Sequence, residues 1–188
     1  MNWLKPRASE LAQRKKWFHE VLKENQGALL RFAHSLVSDT ELAQDIVQEA
    51  FTRLWDRAPD DVEGYVVEWL FKVCRNLSID HLRKEKRMDN KALNLDCLED
   101  LDQLDVESQL DKKSRQQIVA EVISQLKPHQ QEVLRMKFEK DFSYHKISDV
   151  TGYSVTHVGV LIHNTIKAIR KKMIQRLQLD IGDAAQDE

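Results

Sequence analysis

The sequence predicts an all-α protein of two small helical domains joined by an acidic linker. The chain of 188 residues contains five Gly and three Pro, which are few for the many tight turns of an all-β protein. Its apolar residues recur at spacings of three and four, the period of a helix, and strand-like alternation is missing. An abrupt change in charge then suggests where one domain ends.

Charge switches from basic to acidic near residue 93. Residues 72–91 hold seven Lys or Arg against three Asp or Glu, whereas residues 94–111 hold seven acids and no base. Such runs are often only solvated surface, but their abrupt succession indicates a boundary. The predicted organisation is a first domain over 1–93, a linker over 94–113, a second domain over 114–178 and a C-terminal tail over 179–188.

Composition and motifs exclude several classes of protein. No apolar run approaches the length of a membrane span, and the N-terminus lacks the apolar segment of a secretory signal, so no membrane insertion is expected. Cys74 and Cys97 form no CxxC pair and are predicted to be free thiols in a reducing cytoplasm. With no HExxH, Cys/His cluster, P-loop, dinucleotide fingerprint or nucleophile–base motif, we predict no metal, no cofactor, no catalytic residue and no enzymatic activity.

The first domain begins with one or two helices over residues 8–36, for which a break near Gly27 is left open. In the next segment, Ser38 and Glu41 fit a capping box that would start a helix. That helix has an apolar face formed by Ala43, Ile46, Val47, Ala50 and Leu54. Its opposite face carries Glu41, Asp45, Gln48, Glu49, Thr52 and Asp56. Residues 57–64, RAPDDVEG, are predicted to form a loop.

A third helix, over about residues 65–86, has an unusual pattern. One apolar face contains Leu70, Val73, Cys74 and Leu77, and another contains Phe71, Ile79 and Leu82. Between them runs a narrow strip of Trp69, Lys72, Asn76 and Arg83. Asp80 can pair with Arg83 or Lys84 one turn further on. A helix packed on two sides would expose this strip, although Trp69 alone could instead be a core residue.

The second domain has the pattern of a helix-turn-helix. Pro128 fits the first position of a helix, Ser143 can cap a short helix that Gly152 ends, and Ser154 can cap the next one. The inward face of that last helix is Val155, Val158, Ile162, Ile166, Ile169 and Met173. Its outward face is Thr156, His157, Val160, Asn164, Lys167 and Lys171. A polar to basic outer face suits the major groove of DNA, while a plain helical hairpin is the simpler alternative.

Three segments together resemble the two conserved modules of bacterial RNA polymerase sigma factors. They are DIVQEAFTRLW at 45–55, WLFKVCRNLSIDHLRKEKR at 69–87 and LKPHQQEVLRMKFEKDFSYHKISDVTGYSVTHV at 126–158. Their order, their spacing and the short chain are similar to the extracytoplasmic-function group, which has only the second and fourth conserved regions. The resemblance covers roughly residues 15–175.

The resemblance implies partners and sites. The helix with the D-x-V-Q-E motif would bind core RNA polymerase, through Asp45, Gln48, Glu49 and Thr52. The third helix would bind the opened −10 promoter element through Trp69, Lys72, Arg75, Asn76 and Arg83, with the loop at 57–64 near a flipped base. The helix-turn-helix would bind the −35 element through Ser154, Thr156, His157, Val160, Asn164 and Lys167. The acidic linker would thread toward the polymerase active centre, unless it is a plain tether, and an anti-sigma factor is a typical further partner.

Two departures from the family pattern affect these expectations. Gln44 stands where the family usually has another acid before D-x-V-Q-E, so polymerase binding is expected to be weaker or differently tuned. The recognition helix carries VGVLIHN at 158–164 where Lys and Arg are usual. Val160 could touch a thymine methyl, and phosphate contacts would fall to Lys167, Arg170, Lys171 and Lys172.

The resulting prediction is an alternative sigma factor that binds core polymerase, recognises a promoter and helps to melt the −10 element. The alternative is a helix-turn-helix regulator that binds duplex DNA without polymerase. That alternative explains residues 128–173 but leaves the acidic face of the second helix and the polar strip of the third without a purpose.

Overall fold

The computed structural model describes residues 8–88 and 115–184 and divides the chain into two compact units, Met1–Asp89 and Asn90–Glu188. Both units are helical, and the described residues contain no strand, which confirms the all-α prediction. The predicted linker at 94–113 lies outside the described residues. No described helix combines the length and apolar character needed to cross a membrane.

Over its described residues 8–88, the first unit contains three α-helices: α1 (Ala8–Val37), α2 (Thr40–Trp55) and α3 (Val66–Met88). A short 3-10 helix, Pro59–Val62, interrupts the predicted loop between α2 and α3. The three α-helices pack against one another. The largest completely buried side chains in their shared core are Leu29, Phe32, Leu54, Leu70 and Phe71. α1 continues through Gly27 without a break.

The turn between α1 and α2 corrects the predicted capping box. Asp39, not Ser38, caps α2, and its carboxylate accepts a hydrogen bond from the Leu42 N–H at 3.0 Å. Ser38 has a φ of 56° and donates its N–H to the His34 carbonyl at 2.8 Å, so it ends α1 instead. Since only these two residues separate the helices, the first terminates α1 in a left-handed conformation and the second is left to cap α2. The capping box with Glu41 was therefore a wrong prediction.

α3 buries one wide face where two separate apolar faces were predicted. The centre of that face is fully inaccessible and consists of Leu70, Phe71, Cys74 and Ser78. The other predicted apolar residues are half-buried on its flanks: Val73, Leu77, Ile79 and Leu82. The Ser78 hydroxyl donates to the Cys74 carbonyl at 2.9 Å, which satisfies the buried polar group within the helix. Burial raises the pKa of the Cys74 thiol to about 12, so this cysteine remains a neutral core side chain.

The part of the second unit that the structure describes, residues 115–184, contains four α-helices: α4 (Arg115–Ser124), α5 (Pro128–Glu139), α6 (Tyr144–Thr151) and α7 (Val155–Ala184). Pro128 occupies the first turn of α5, as predicted. The buried side-chain amide of Gln131 donates to the carbonyls of Ser124 at 3.2 Å and Leu126 at 2.9 Å, which ties the end of α4 to α5. α7 continues through Ala184, into the segment predicted as a tail.

The helix-turn-helix of α6 and α7 forms with the predicted caps. The Ser143 hydroxyl accepts from the Lys146 N–H and the Ser154 hydroxyl from the His157 N–H, both at 3.2 Å. Gly152 ends α6 with a φ of 79°, a conformation that favours glycine. On the inner face of α7, Val158 and Ile162 are buried, and the other predicted inward residues are half-buried: Val155, Ile166, Ile169 and Met173. Leu161 and Thr165, which were not predicted to face inward, are buried as well.

Candidate nucleic-acid and protein interfaces

The outer face of α2 presents the residues predicted to bind polymerase. Asp45, Gln48, Glu49 and Thr52 are all exposed. The Glu49 carboxylate forms an ion pair with Arg53 at 2.8 Å, and both side chains are about half exposed. The Thr52 hydroxyl donates to the Gln48 carbonyl at 2.9 Å and remains accessible on the surface. This arrangement offers a partner a polar face with a net acidic character.

An apolar groove lies beside this acidic face, between α1 and α2. Its volume is about 580 Å³, and it is open to solvent. The residues that line it are Phe18, Leu22, Gln26, Leu30, Gln44, Val47, Gln48, Phe51, Thr52 and Trp55. The Phe18 ring stands edge-on to Trp55 and Phe51, with centroid separations of 5.1 and 6.1 Å. Sequence reasoning missed this groove, although the four-residue spacing of Phe18, Leu22, Gln26 and Leu30 on α1 was a signal for it.

The predicted −10 residues lie together along the side of α3 opposite its buried face. Lys72, Asn76 and Arg83 are exposed, whereas Trp69 and Arg75 are half-buried. Half-burial of Trp69 means that this ring is neither a core side chain nor a free surface residue. The predicted pairing of Asp80 with Arg83 is present at 3.7 Å between exposed side chains. A cationic strip with one flat ring suits a backbone carrying unstacked bases.

Arg57, at the start of the loop between α2 and α3, also contacts this strip. Its guanidinium lies over the Trp69 ring, with the carbon atom Cζ 5.1 Å from the ring centroid. The loop itself is attached to α1, because Arg14 donates to the carbonyls of Trp55 and of Arg57, the latter at 2.8 Å. Sequence reasoning included Arg57 only as part of the loop at 57–64 and did not include Arg14, because both contacts join positions distant along the chain.

The same loop borders a small, partly open pocket of about 220 Å³ against α1. Its lining is Trp17, Pro59, Asp60, Val62, Glu63, Gly64 and Val66. The Tyr65 hydroxyl donates to the Asp61 carbonyl, and Gly64 has a φ of 78°. Arg14 thus joins the start of the loop to α1, whereas the Tyr65 hydrogen bond lies within the loop segment itself.

The outer face of α7 carries the predicted −35 residues. Ser154, Thr156, His157, Val160, Asn164 and Lys167 are all exposed. Val160 is 53% exposed, so an apolar side chain stands at the centre of this face. Gly159 lies beside the Tyr144 ring of α6, to which an added Cβ would come within 3.5 Å. The face has a cation at one end and small or apolar groups in the middle, as the sequence indicated.

One titratable group near the start of α7 was not foreseen. His129 on α5 has a pKa below the ordinary value of 6.5, because of partial burial and the positive charges of Lys127 and His157. The His157 ring in turn stands edge-on to Tyr153, at 5.1 Å between centroids. In residues 8–88 and 115–184, no group of three or more His, Cys, Asp or Glu side chains is arranged to hold a metal ion.

Comparison with known families assigns both units. Sigma-70 region 2 matches residues 21–88, and Sigma-70, region 4 matches residues 116–169. These matches fall inside the predicted domains 1–93 and 114–178, whose boundaries remain predictions. Curated relatives cover most of the chain as well.

These relatives include two extracytoplasmic-function sigma factors. The extracytoplasmic-function sigma factor SigM of Bacillus subtilis is 27% identical over 135 residues, which cover 72% of this chain and 82% of SigM. SigL of Mycobacterium tuberculosis is 27% identical over 152 residues, 78% of this chain and 83% of SigL. The fold is similar to that of sigma factor RpoE from Bartonella quintana, solved with the anti-sigma factor NepR. Its TM-score is 0.61 at 20% identity, and the match covers 84% of this chain and 97% of RpoE.

The fold, the two regions and their order thus define a transcription initiation factor of the sigma-70 family, to which this chain belongs. Within that family it is a sigma factor of the extracytoplasmic-function type.

Proposed function

We propose that this chain is an alternative sigma factor that binds core RNA polymerase through α2, directs it to specific promoters and helps to melt the −10 element through α3. The observation that carries the proposal is that three exposed surfaces occur on one chain in the family's order. These are the polar face of α2, the cationic strip of α3 and the outer face of α7. A regulator that only bound duplex DNA would use the last of them alone.

The binding partner proposed for each surface follows from the chemistry of its side chains. Acidic side chains on α2 suit a basic protein surface, and the neighbouring apolar groove would add area that excludes water from the contact. Lys72, Arg75 and Arg83 would neutralise phosphates, while Trp69 and Asn76 would meet unstacked bases. Bond making and breaking would be left to polymerase, so the chain itself would not be an enzyme. Such a factor would act in the cytoplasm, where the chromosome is transcribed.

The −35 contact would rely on the unusual outer face of α7. Thr156, His157 and Asn164 could hydrogen-bond to base edges, and Val160 could contact a thymine methyl group. Lys167 would hold a phosphate. By analogy with the RpoE structure, which contains the anti-sigma factor NepR, a sequestering protein partner is part of the proposal.

The proposal is tested by titrating fluorescently labelled chain with core polymerase. The double variant Asp45→Lys, Glu49→Lys reverses the charge of the α2 face without removing a buried group, and we expect it to raise Kd at least about tenfold. The matched control is Glu20→Lys, Glu24→Lys, which makes the same charge change at exposed positions of α1. Equal affinity of the α2 variant and the control would overturn the α2 interface. Absence of promoter-specific transcription by the parent holoenzyme would overturn the function.

A further inference from the structure

We propose that His157 and His163 hold phosphates of the −35 element as imidazolium ions, so that promoter binding through α7 takes up protons and strengthens as pH falls. The inference rests on the proposed function, because it needs the outer face of α7 to lie against DNA. It adds His163, an exposed residue of α7, to the residues that contact the promoter.

The first argument concerns which side chains can carry charge in the first half of α7. From Ser154 to Asn164 the sequence contains no Lys or Arg, and its ionisable side chains are His157 and His163. Phosphate contacts supply much of the affinity of a DNA-binding surface. This half of the helix can gain charged phosphate contacts only from its two histidines. Histidine is also the side chain that ordinarily changes its charge between about pH 5 and 8.

The second argument is the placement of the two histidines on the outer face. His157, Val160 and His163 are each three residues apart, and a step of three residues falls about 60° short of a full helical turn. Val160 therefore lies between the two histidines around the helix, and all three side chains are exposed. Because the major groove is about as wide as a helix, the centre of such a face meets base edges and its flanks meet the phosphate backbones.

The third argument is the access that each imidazole has to a ligand. His157 and His163 are exposed. The Tyr153 ring stands edge-on to the His157 ring at 5.1 Å between centroids, which supports that imidazole on one side. A protonated imidazole donates from both of its ring nitrogens. His157 can therefore hold a phosphate with one nitrogen and keep the base-edge contact proposed above with the other.

The helices packed against α7 supply further charged groups. Partial burial and the positive charges of Lys127 and His157 lower the pKa of His129 on α5. His129 is therefore a weaker source of positive charge than an ordinary exposed histidine. Further along α5 the charged side chains pair with acids, Arg135 with Glu139 and Lys137 with Asp141, and Glu132 is buried. α6 presents His145, Lys146 and Asp149 to solvent, and α4 contributes the half-buried Glu121.

The direction of the pH effect follows from linkage. A phosphate beside an imidazole favours the charged form of the imidazole. The complex with DNA then binds protons more tightly than the free protein does, so the affinity for DNA increases as pH falls and is lost as pH rises. Neutral imidazoles that only donated hydrogen bonds would instead contribute equally at every pH.

The experiment measures binding of reconstituted holoenzyme to a labelled promoter duplex by fluorescence anisotropy at about pH 5.8 and pH 7.8, which span the ordinary titration of histidine. A second duplex ends downstream of the −35 element, so α7 has no DNA to contact. The ratio of the two Kd values isolates the α7 contact from the −10 contacts and from titrating groups of polymerase.

The variants are His157→Gln with His163→Gln, and His157→Lys with His163→Lys. A matched control, His19→Gln with His34→Gln, changes two exposed histidines of α1. Circular dichroism at both pH values checks that each variant is folded. Transcription by the parent and its binding to core polymerase at pH 7.8 are measured separately, and they test the proposed function alone.

For the parent and the α1 control, we expect the affinity gained from the −35 element to rise about tenfold between the higher and the lower pH. The slope of log affinity against log salt should steepen by about 1 to 2, because up to two further phosphates are neutralised. The glutamine variant should keep the weak binding of the higher pH at both values. The lysine variant should bind tightly at both, because its charge is permanent over this range.

Three results would each overturn the proposal. One is a gain from the −35 element that does not change with pH in the parent. Another is a pH dependence that persists in the glutamine variant. The third is an equal loss of affinity at both pH values in the glutamine variant, which would show that His157 and His163 act as neutral hydrogen-bond donors.

Discussion

At the scale of single residues, the arginines of the first unit make different kinds of contact, depending on the groups next to them. Arg53 pairs with a carboxylate on α2, and Arg83 pairs with one on α3, both at the surface. Arg14 instead binds two backbone carbonyls, and Arg57 lies on an aromatic ring. The pairs within one helix were open to prediction from four- or three-residue spacing. The contacts of Arg14 and Arg57 were not, because they depend on how α1, α2 and the loop pack.

The polar strip of α3 gives the first residue-scale prediction. Asn76→Ala removes an exposed amide with little change of volume, and Lys72→Ala removes an exposed charge. If the strip acts on separated strands as proposed, both holoenzymes should open duplex promoter about tenfold less well and recover partly on a pre-melted bubble. Permanganate reactivity of the −10 thymines measures opening. Normal opening of duplex DNA by both variants would show that the strip is only solvated surface.

Thr52 gives the second. Gln44 leaves the α2 face with one acid fewer than the family pattern, and the exposed Thr52 hydroxyl lies on that face. We hypothesise that phosphorylation of Thr52 restores negative charge there and strengthens polymerase binding. Thr52→Glu should then transcribe better in cells than Thr52→Ala, by a few-fold. Equal activity of both variants and the parent would leave Thr52 an ordinary surface residue.

His129 gives the third residue-scale prediction, which concerns the dependence of stability on pH. Its pKa is lowered in the folded protein by burial, Lys127 and His157, so the unfolded chain takes up the proton first as pH falls. Stability contributed by neutral His129 is thus present above the ordinary value of 6.5 and is lost as pH falls below it. His129→Gln should reduce the fall in Tm between about pH 7.5 and pH 5.5. An equal reduction in the control His163→Gln, at an exposed position of α7, would contradict this assignment.

At the scale of elements, periodicity predicted the helices well and their ends less well. The inward and outward faces of α7 and the caps at Ser143 and Ser154 followed from local spacing. The residue that caps α2 could not be predicted in this way, because Ser38 and Asp39 are both good capping residues. Which of them caps the helix depended on how α1 ends. Similarly, α3 has one buried face where two apolar faces were predicted, because the polar residue Ser78 is buried between them.

Glycines in the first unit give the element-scale prediction. Gly27 lies inside α1, and an added Cβ would meet only the flexible end of Arg31 at 3.6 Å. Gly27→Ala should therefore raise the free energy of unfolding by about 0.5–1 kcal/mol. Gly64→Ala should lower it, because the φ of 78° strains any residue with a Cβ. Urea denaturation followed by circular dichroism measures both, and a destabilised Gly27→Ala protein would show that α1 needs the glycine for another reason.

At the scale of the whole molecule, the distribution of charged side chains indicates function better than the net charge does. A formal net charge of −2 does not by itself attract DNA. The outer sides of α3 and α7 present several basic side chains, whereas the outer face of α2 presents acids. The sequence predicted this segregation because each surface follows one helix. It could not predict the apolar groove or the anchored loop, which form only when α1 packs against the residues that follow it.

This distribution leads to a prediction about the intact protein. Each surface proposed to bind DNA is small and offers few cations, so the free chain should bind promoter duplex weakly. Core polymerase would hold both units on the same DNA, and two weak contacts then act as one stronger contact through effective concentration. In fluorescence anisotropy at about 0.15 M salt, we expect the free chain to bind labelled promoter at least ~100-fold more weakly than the holoenzyme does. Scrambled DNA of equal length and core polymerase alone serve as controls. Tight, sequence-specific binding by the free chain would instead favour a regulator that acts without polymerase, because the second unit would then suffice to find the promoter.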